Sequence, residues 1–405
     1  MKTSTMQRID RTVGPLLGPF LLGLRGIFGP RRKAGPNGPT TAIKKILVLK
    51  FLGMGTLLLA SPALRRLKVM HPGAKVVLFT LVQNEALAEM LPGVDEVVVI
   101  RINDPWQLLK SLSGVLPGLI RQRFDAVIDL EFFANFSALI TAFLTLFHPG
   151  ILAVGYDFPG HWRNRLHQKR GTFHHQKHIS VIMGDLMDAL LPDFQGPQEI
   201  SFEPEKRIFF EKAQTDLVME VLMPRSGNLP FVVTLNINSG DLCKNREWPL
   251  EHFRTVVTEL QGRKNILIFL IGGAADVPHV AAFIASLPSQ EKVVNFCGRA
   301  SFHQLLGIFS KTDLLITNDS GPLHIATVMT IPTIVFFGPE TPLLYGPVGE
   351  RSHVFYRELA CSPCLSIYNS KYHVCHDNQC LKTITPEQVM KVVDAEINSA
   401  GAHKI

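Results

Sequence analysis

Short, wholly apolar runs alternate with longer stretches of helical period along most of this chain, and they do so in two series. From Lys44 the runs are "KKILVLK" (44–50), "KVVLFT" (75–80), "DEVVVIR" (95–101), "FDAVIDLE" (124–131) and "ILAVG" (151–155). Helices are expected between and after them, among others from Thr56 to Lys68, from about Asn135, and from near His178 to Leu191. The second series is "FVVTLNI" (231–237), "ILIFLIGG" (266–273), "KVVNFCG" (292–298), "TDLLITND" (312–319) and "PTIVFFGP" (332–339). Runs that are apolar at successive positions belong to strands covered on both faces, and repeated β-α units build parallel sheets. Between the series, "PDFQGPQEISFEPEK" (192–206) is polar, contains Pro and Gly and keeps no period, so the boundary belongs there. The expectation is an α/β protein of two doubly wound, Rossmann-like domains, residues 41–200 and 201–405, with a cleft between them at the carboxyl ends of both sheets. A length of 405 residues, 46% of them hydrophobic, supplies two cores of ordinary size.

Charge narrows the class of partner. The formal net charge is +7, but ten of the 41 Lys and Arg and one of the 34 acids, Asp10, fall in residues 1–50. The remainder holds 31 bases and 33 acids, a nearly neutral body that excludes a broad nucleic-acid footprint. Between the basic groups lies "VGPLLGPFLLGLRGIFGP" (13–30), apolar but interrupted by Gly, Pro and Arg25, and so a poor membrane span. No small-residue cleavage site follows its apolar part. That favours a segment lying on a membrane surface over a secretory signal, with Arg31, Arg32 and Lys33 facing anionic lipid. The other reading is a mildly apolar tail without a partner. "RRKAGPNGPTT" (31–41) reads as a linker, which sets residues 1–40 apart as a basic, apolar membrane-surface anchor.

Three loops fall at expected carboxyl ends of strands. The first is Gly53-Met54-Gly55-Thr56, whose glycines allow a tight turn and open N–H groups to a substrate. Alone, a Gly-x-Gly is weak evidence. The second, "NINSGDLCKNREWPLEHF" (236–253), holds Lys244 and Arg246 just before Trp248-Pro249, where a helix should begin. Arg246 offers a planar donor fork to a diphosphate and Lys244 a mobile point charge; the bland alternative is a solvated basic turn. The third is Asn318-Asp319-Ser320-Gly321-Pro322, which opens a helix near Leu323. Asp319 or Ser320 suits the N-cap, Pro322 the first turn, and Gly321 lets a ligand approach the backbone. Asp319 can accept from sugar hydroxyls, the Ser320 and Gly321 amides can hold a phosphate, and His324, one turn on, can donate to a phosphate oxygen. Loops of this composition also cap helices that bind nothing, and a His at such a place is often a satisfied structural residue.

Six Cys are too few for a disulfide-dense secreted scaffold of this length. Four fall late, Cys361, Cys364, Cys375 and Cys380, spaced CxxC-x10-C-x4-C. Zinc ligation, a disulfide, and reduced thiols in a compact loop all fit, although the second pair is wider than zinc sites usually show.

Gly53-x-Gly55 followed by "LLLASPALRRL", the Arg246-Glu247-Trp248-Pro249 turn, "CGRASFHQLLGIFSKTDLLITNDSGPLHIA", "FFGPETP" and the "CSPC...C...C" tail together resemble glycosyltransferase family 9, the bacterial ADP-heptose:lipopolysaccharide heptosyltransferases. The resemblance spans roughly residues 44–396 and is most specific at "NDSGPLHIA" and "FGPETP". It implies a GT-B fold and inverting transfer without a required metal or cofactor. It also implies an ADP-sugar donor in the C-terminal half and a lipopolysaccharide-core or related lipid-linked saccharide acceptor in the N-terminal half. Such an enzyme would sit peripherally on the cytoplasmic face of the bacterial inner membrane. The 318–322 loop would then hold the donor, with Arg246, Lys244 and the Ser320 and Gly321 amides against its diphosphate.

Two departures matter. Members of the family typically carry Asp directly after the second glycine, proposed as the base for the acceptor hydroxyl, where this chain has Thr56. A threonine hydroxyl is no general base near neutral pH. Glu131, with Asp129 beside it, is the candidate substitute; a strand-end carboxylate in a polar network is the alternative. Many members have Lys in place of Arg246, which keeps the charge. Thr56 opens a second reading, a catalytically impaired sugar-nucleotide or lipopolysaccharide-binding scaffold. A third is a nucleotide-sugar hydrolase or epimerase that needs no acceptor. The irregular, cation-rich stretch "GHWRNRLHQKRGTFHHQKH" (160–178) either meets acceptor phosphates or is a solvated loop.

Overall fold

The computed structural model describes residues 3–28, 43–132, 134–158, 160–190, 200–223, 229–240, 243–366, 369 and 375–403. The expected linker at 31–41, Leu191, and residues 192–199 of the expected boundary lie outside the described residues. The chain divides into two compact units, Met1–Ser201 and Phe202–Ile405.

Unit 1 contains β1 (Lys45–Leu49), β2 (Lys75–Leu81), β3 (Glu96–Ile100), β4 (Ala126–Asp129), β5 (Leu152–Asp157) and β6 (Lys169–Thr172). They form one parallel sheet in the order β3-β2-β1-β4-β5-β6. Unit 2 contains β7 (Phe231–Asn236), β8 (Ile266–Leu270), β9 (Val293–Asn295), β10 (Leu314–Asn318), β11 (Thr333–Phe337) and β12 (Ser352–Tyr356). Its sheet, again parallel, runs β12-β11-β10-β7-β8-β9. Counted from its own first strand, each sheet is wound the same way. The winding reverses between β1 and β4, and between β7 and β10, and the carboxyl ends at such a reversal are where doubly wound sheets receive ligands.

Matching acids fix both central pairings. Asp125 Oδ2 accepts from the Lys44 and Lys45 amides at 2.8 and 2.9 Å, and Asp313 Oδ2 from the Val232 amide at 2.8 Å. Each acid stands just before β4 or β10 and fastens the start of β1 or β7. Around these pairs β7 and β10 are buried throughout, as their unbroken apolar runs require.

Three expectations change. Strands β6 and β12 were not read as apolar runs, because β6, "KRGT", is polar and β12, "SHVFY", opens on Ser352 and His353; both lie at sheet edges. The helix expected from Thr56 to Lys68 is two helices, Met54–Leu59 and Ser61–Met70, joined at Ala60 with Pro62 in the first turn of the second. The N-terminal segment forms a single helix, Thr3–Phe28, that passes through Pro15 and Pro19. Its glycines are contact points: a Cβ at Gly14 would run into the Asn135 side chain, and one at Gly18 would lie 2.5 Å from the Trp162 ring. Leu21 and Leu22 join Trp162, Ala138, Ala142 and Leu166 in an apolar cluster. Packing of this kind outweighs poor helix propensity. Val13, Leu16, Leu17 and Phe20 remain exposed. Among the described residues no helix is long and apolar enough to cross a membrane.

Candidate functional site

In unit 2 the reversal between β7 and β10 gathers two of the predicted loops. Asn318, the last residue of β10, donates through Nδ2 to Ile237 O at 2.9 Å and accepts from the Trp248 amide at 2.8 Å. Trp248 is buried, stacks on Phe336 with ring centroids 4.3 Å apart, and donates its indole N–H to Ile384 O at 2.9 Å. These anchors hold the Lys244–Arg246 turn directly before it. Arg246 Nη1 lies 3.3 Å from Asp319 Oδ2, and its Nη2 donates to Ser239 O at 2.7 Å. Burial opposes the charge on Arg246, but the Asp319 and Glu340 carboxylates more than offset it and hold its pKa above the usual value. Lys244 is exposed and pairs with Glu247 Oε1 at 3.1 Å, an oxygen that also accepts from the Ser239 amide and hydroxyl at 3.2 Å.

Ser320 is the N-cap residue of the Gly321–Val328 helix, and Pro322 lies in its first turn, but the Ser320 side chain makes no cap bond to this helix start. Ser320 Oγ instead donates to Asn318 O at 3.1 Å and accepts from Asn236 Nδ2 at 2.8 Å. Asp319, expected to cap or to meet a sugar, is held by Arg246. His324 is buried one turn further in. The arrangement is a fixed guanidinium beside the N–H groups of a helix start, a pairing suited to an anion.

The cysteine tail braces this region. The Cys364 and Leu365 amides donate to Pro339 O at 3.0 and 2.9 Å, and Asn378 Nδ2 donates to Asn245 O at 2.7 Å, steadying the Arg246 turn. All six cysteines are free, and burial pushes the Cys364 and Cys380 thiols up to about 11, so they are protonated at neutral pH. Among the described residues no group of three or more His, Cys, Asp or Glu is placed to hold a metal, and this includes Cys361, Cys364, Cys375 and Cys380, for which zinc is one of three readings of the sequence. Sequence reasoning missed Asn318 and Asn378, whose roles arise only from partners far away in the chain.

In unit 1 the reversal between β1 and β4 is lined by buried charge. Glu131, 1% exposed, accepts through Oε1 from Lys50 Nζ at 3.0 Å, the Phe51 amide at 2.7 Å and the Leu52 amide at 2.8 Å. Lys50 Nζ also donates to Leu52 O. Asp129 Oδ2 accepts from Arg163 Nη2 at 2.9 Å, and burial pushes its carboxyl up against the pull of that guanidinium. Arg163 further donates to Glu131 O at 2.6 Å and Phe132 O at 3.1 Å. Of the two readings of Glu131 and Asp129, this geometry fits the strand-end carboxylate in a polar network. Both are sealed carboxylates whose oxygens hold buried donors.

Gly53, with φ +79°, makes the turn before the Met54–Leu59 helix, and a Cβ there would lie 2.7 Å from Thr56 Oγ1. Gly55 lies inside that helix. The Thr56 hydroxyl turns back to Leu52 O at 3.1 Å and Gly53 O at 2.9 Å, as a proton donor. The 160–178 stretch proves to be mixed. His174, His175 and Lys177 are exposed, whereas Arg163 and His167 are buried, and burial, then the Arg163 charge, lowers the His167 pKa to about 3.

Two parallel, doubly wound sheets, with a cation beside a helix start at the reversal of the second, define an α/β protein with a strand end suited to an anion. Residues 117–374, 258 of the 405, match the model of glycosyltransferase family 9 (heptosyltransferase), and the chain belongs to that family. Lipooligosaccharide heptosyltransferase 2 of Campylobacter jejuni is 30% identical over 161 residues, 39% of this chain and only 50% of that protein. Lipopolysaccharide heptosyltransferase 1 of Escherichia coli is 23% identical over 324 residues, 76% of this chain and 92% of that protein. The solved E. coli heptosyltransferase WaaC with ADP superposes with a TM-score of 0.63 at 18% identity, over 87% of this chain and 99% of that one, which fits the GT-B fold. The reading as a binding-only scaffold finds no support among these relatives.

Proposed function

We propose that the protein is an inverting heptosyltransferase. It moves a heptose or similar sugar from a nucleotide diphosphate donor, ADP-heptose foremost, to a hydroxyl of a lipopolysaccharide-core or related lipid-linked saccharide. The observation that carries this reading is the Arg246–Asp319 pair, 3.3 Å apart and mostly buried, beside the Ser320-Gly321 helix start.

Arg246 turns its fork to the diphosphate, with Lys244 as a second, mobile cation. Asp319, released from Arg246, accepts from hydroxyls of the sugar. The Ser320 and Gly321 amides hold the phosphate nearest the sugar, Pro322 keeps the first helical turn in shape without adding a donor, and His324 donates from one turn further in. As the acceptor oxygen bonds to the anomeric carbon from the opposite face, its proton passes to solvent water and the electron pair of the breaking C–O bond passes to the diphosphate. Fixed positive charge at that point lowers the barrier, so the reading requires no metal or cofactor. In unit 1 the Gly53 to Thr56 loop receives the acceptor, while His174, His175 and Lys177 face its phosphates. Glu131 is assigned to positioning rather than proton transfer. Residues 1–40 hold the enzyme on the cytoplasmic face of the membrane through Leu16, Phe20 and the basic cluster Arg31, Arg32 and Lys33.

The test is ADP release from ADP-heptose by the purified chain, with and without a truncated saccharide acceptor, together with the anomeric configuration of the product. Acceptor-dependent release with inversion is expected. Equal release without acceptor would identify a hydrolase, and donor binding without release would return the scaffold reading.

A further inference from the structure

We infer that the N-terminal helix is a working part of the acceptor side of unit 1, with Asp10 as a positioning residue that sets the Gly53 to Thr56 loop through a run of buried and half-buried contacts. The functional half of this inference rests on the proposal that this loop receives the acceptor.

The Asn135–Phe147 helix follows Ala134 at its N-cap, which has no side chain able to bond the first amides. Asp10 supplies the cap from another helix: Oδ2 accepts from the Asn135 amide at 2.7 Å and Oδ1 from the Phe136 amide at 2.6 Å. A carboxylate at this end also meets the positive pole of the helix. Burial raises the pKa of Asp10, and these two amides oppose that rise. Gly14 and Gly18 clear the space that lets the two helices approach this closely.

Two routes lead on from the cap. The Phe136 ring packs edge-on against Phe51, with centroids 5.1 Å apart. Asn135 Oδ1 accepts from the Trp162 indole N–H at 3.0 Å, and the next residue, Arg163, bonds Asp129, Glu131 O and Phe132 O. Glu131 in turn holds the Phe51 and Leu52 amides, which lead directly into Gly53. Residues 129–136 are thus fastened at one end by Arg163 and at the other by Asp10. A helix serving only as a tether would need neither an inward carboxylate nor small residues against Asn135 and Trp162.

The experiment compares the full-length native chain with Asp10→Asn, which keeps the shape and removes the charge. Trp162→Phe, which removes the indole N–H bonded to Asn135 and trims the ring packed near Gly18, serves as a second variant should Asp10→Asn fail to fold. Amide hydrogen exchange is read at Asn135, Phe136, Phe51 and Leu52, beside ADP affinity and kinetics with a lipid-free truncated saccharide acceptor. Exchange at Phe51 and Leu52 should quicken along with that at the helix start, and kcat/KM for the acceptor should fall roughly tenfold, the scale of a lost helix cap. ADP affinity should stay unchanged. Leu17→Ser, at an exposed position of the same helix, should leave lipid-free turnover as it is. Exchange that quickens only at Asn135 and Phe136, or loop exchange that quickens while acceptor kinetics hold, would overturn the inference. If the native chain turns over no acceptor, the transferase reading fails, and unchanged Phe51 and Leu52 exchange would then overturn the link by itself.

Discussion

Removing the Arg246 guanidinium while keeping its bulk, as Met, isolates the charge pair at the centre of unit 2. At 3.3 Å and an effective dielectric of about 20, the pair attracts by about 5 kcal/mol. With side chains 14% and 6% exposed, lost hydration withdraws most of that, so the intact pair is close to neutral for stability. One member alone is different, because Asp319 would remain buried as an unpaired carboxylate, a loss of about 3 kcal/mol. Asp319→Asn should cost less, about 1 to 2 kcal/mol, since Arg246 keeps Ser239 O. The double variant should then fall short of the sum by about 2 kcal/mol. Urea unfolding read by Trp248 emission, with Trp106→Phe and Trp162→Phe removing the other indoles, reports on unit 2. Ligand binding adds a second, opposite-signed reading. Asp319 competes with a diphosphate for Arg246, so calorimetry should show ADP binding as tightly or more tightly to Asp319→Asn, and roughly a hundredfold more weakly to Arg246→Met. Additive stability losses, or equal loss of ADP affinity in both single variants, would refute the pairing as the donor switch.

Thr56→Asp should raise acceptor-dependent kcat by roughly a hundredfold, the lower range of general-base assistance, and an unchanged kcat would show that the proton leaves by another route. Glu131→Gln should destabilise unit 1 by about 3 kcal/mol, because Lys50 becomes a buried, partly unpaired cation, yet leave the acid limb of the pH–rate profile in place; loss of that limb would make Glu131 the base after all. His167 is neutral when folded, with a pKa of about 3, whereas the unfolded chain binds a proton near 6.5, so its contribution is intact above pH 6.5 and is lost as pH falls toward 3. The slope should be about 1.4 kcal/mol per pH unit in that window, and His167→Gln should flatten it in acid-unfolding measurements. Leu16→Ser combined with Phe20→Ser should reduce sedimentation with anionic vesicles, and undiminished binding would remove the N-terminal helix from the membrane contact.

The alternation of apolar runs was sufficient for ten of the strands: eight are interior to their sheets and covered on both faces, and the edges β3 and β9 still carry consecutive valines. A polar edge strand such as "KRGT" offers no such run. Arg246 and Asp319 were legible as neighbours for a related reason: their loops leave β7 and β10, which lie side by side in a doubly wound sheet. Their pairing with each other, rather than with a ligand, was not legible, since local sequence carries no signal for which charge a buried guanidinium meets. Lys50 shows the same limit. It looks like the polar end of a strand, and its ammonium turns inward only because β4 brings Glu131 alongside. Gly14 and Gly18 read as breakers in isolation, although a four-residue spacing of small residues also lets two helices approach closely.

The two sheets are wound alike, yet their reversals hold charge differently, and the difference bears on what each can do. In unit 1 the Lys50–Glu131 and Arg163–Asp129 pairs are at most 2% exposed, so no ligand reaches them and opening either would leave a buried charge. Such pairs can shape a loop but cannot take part in exchange. In unit 2 the Arg246–Asp319 side chains are 14% and 6% exposed, beside a helix start that the Ser320 side chain does not cap. On the proposed reading, an arriving diphosphate replaces Asp319 on Arg246 while sugar hydroxyls replace Arg246 on Asp319. Neither charge is then stranded, and the cost of separating the pair is largely offset within the same step. The position of Thr56 fits this division. Its hydroxyl donates to the Leu52 and Gly53 carbonyls, bonds that an ionised Asp could not make, so the residue that forgoes a base also steadies the loop Glu131 holds from the other side. Catalysis in such a chain would rest on exchange at Arg246, with unit 1 contributing position more than proton transfer.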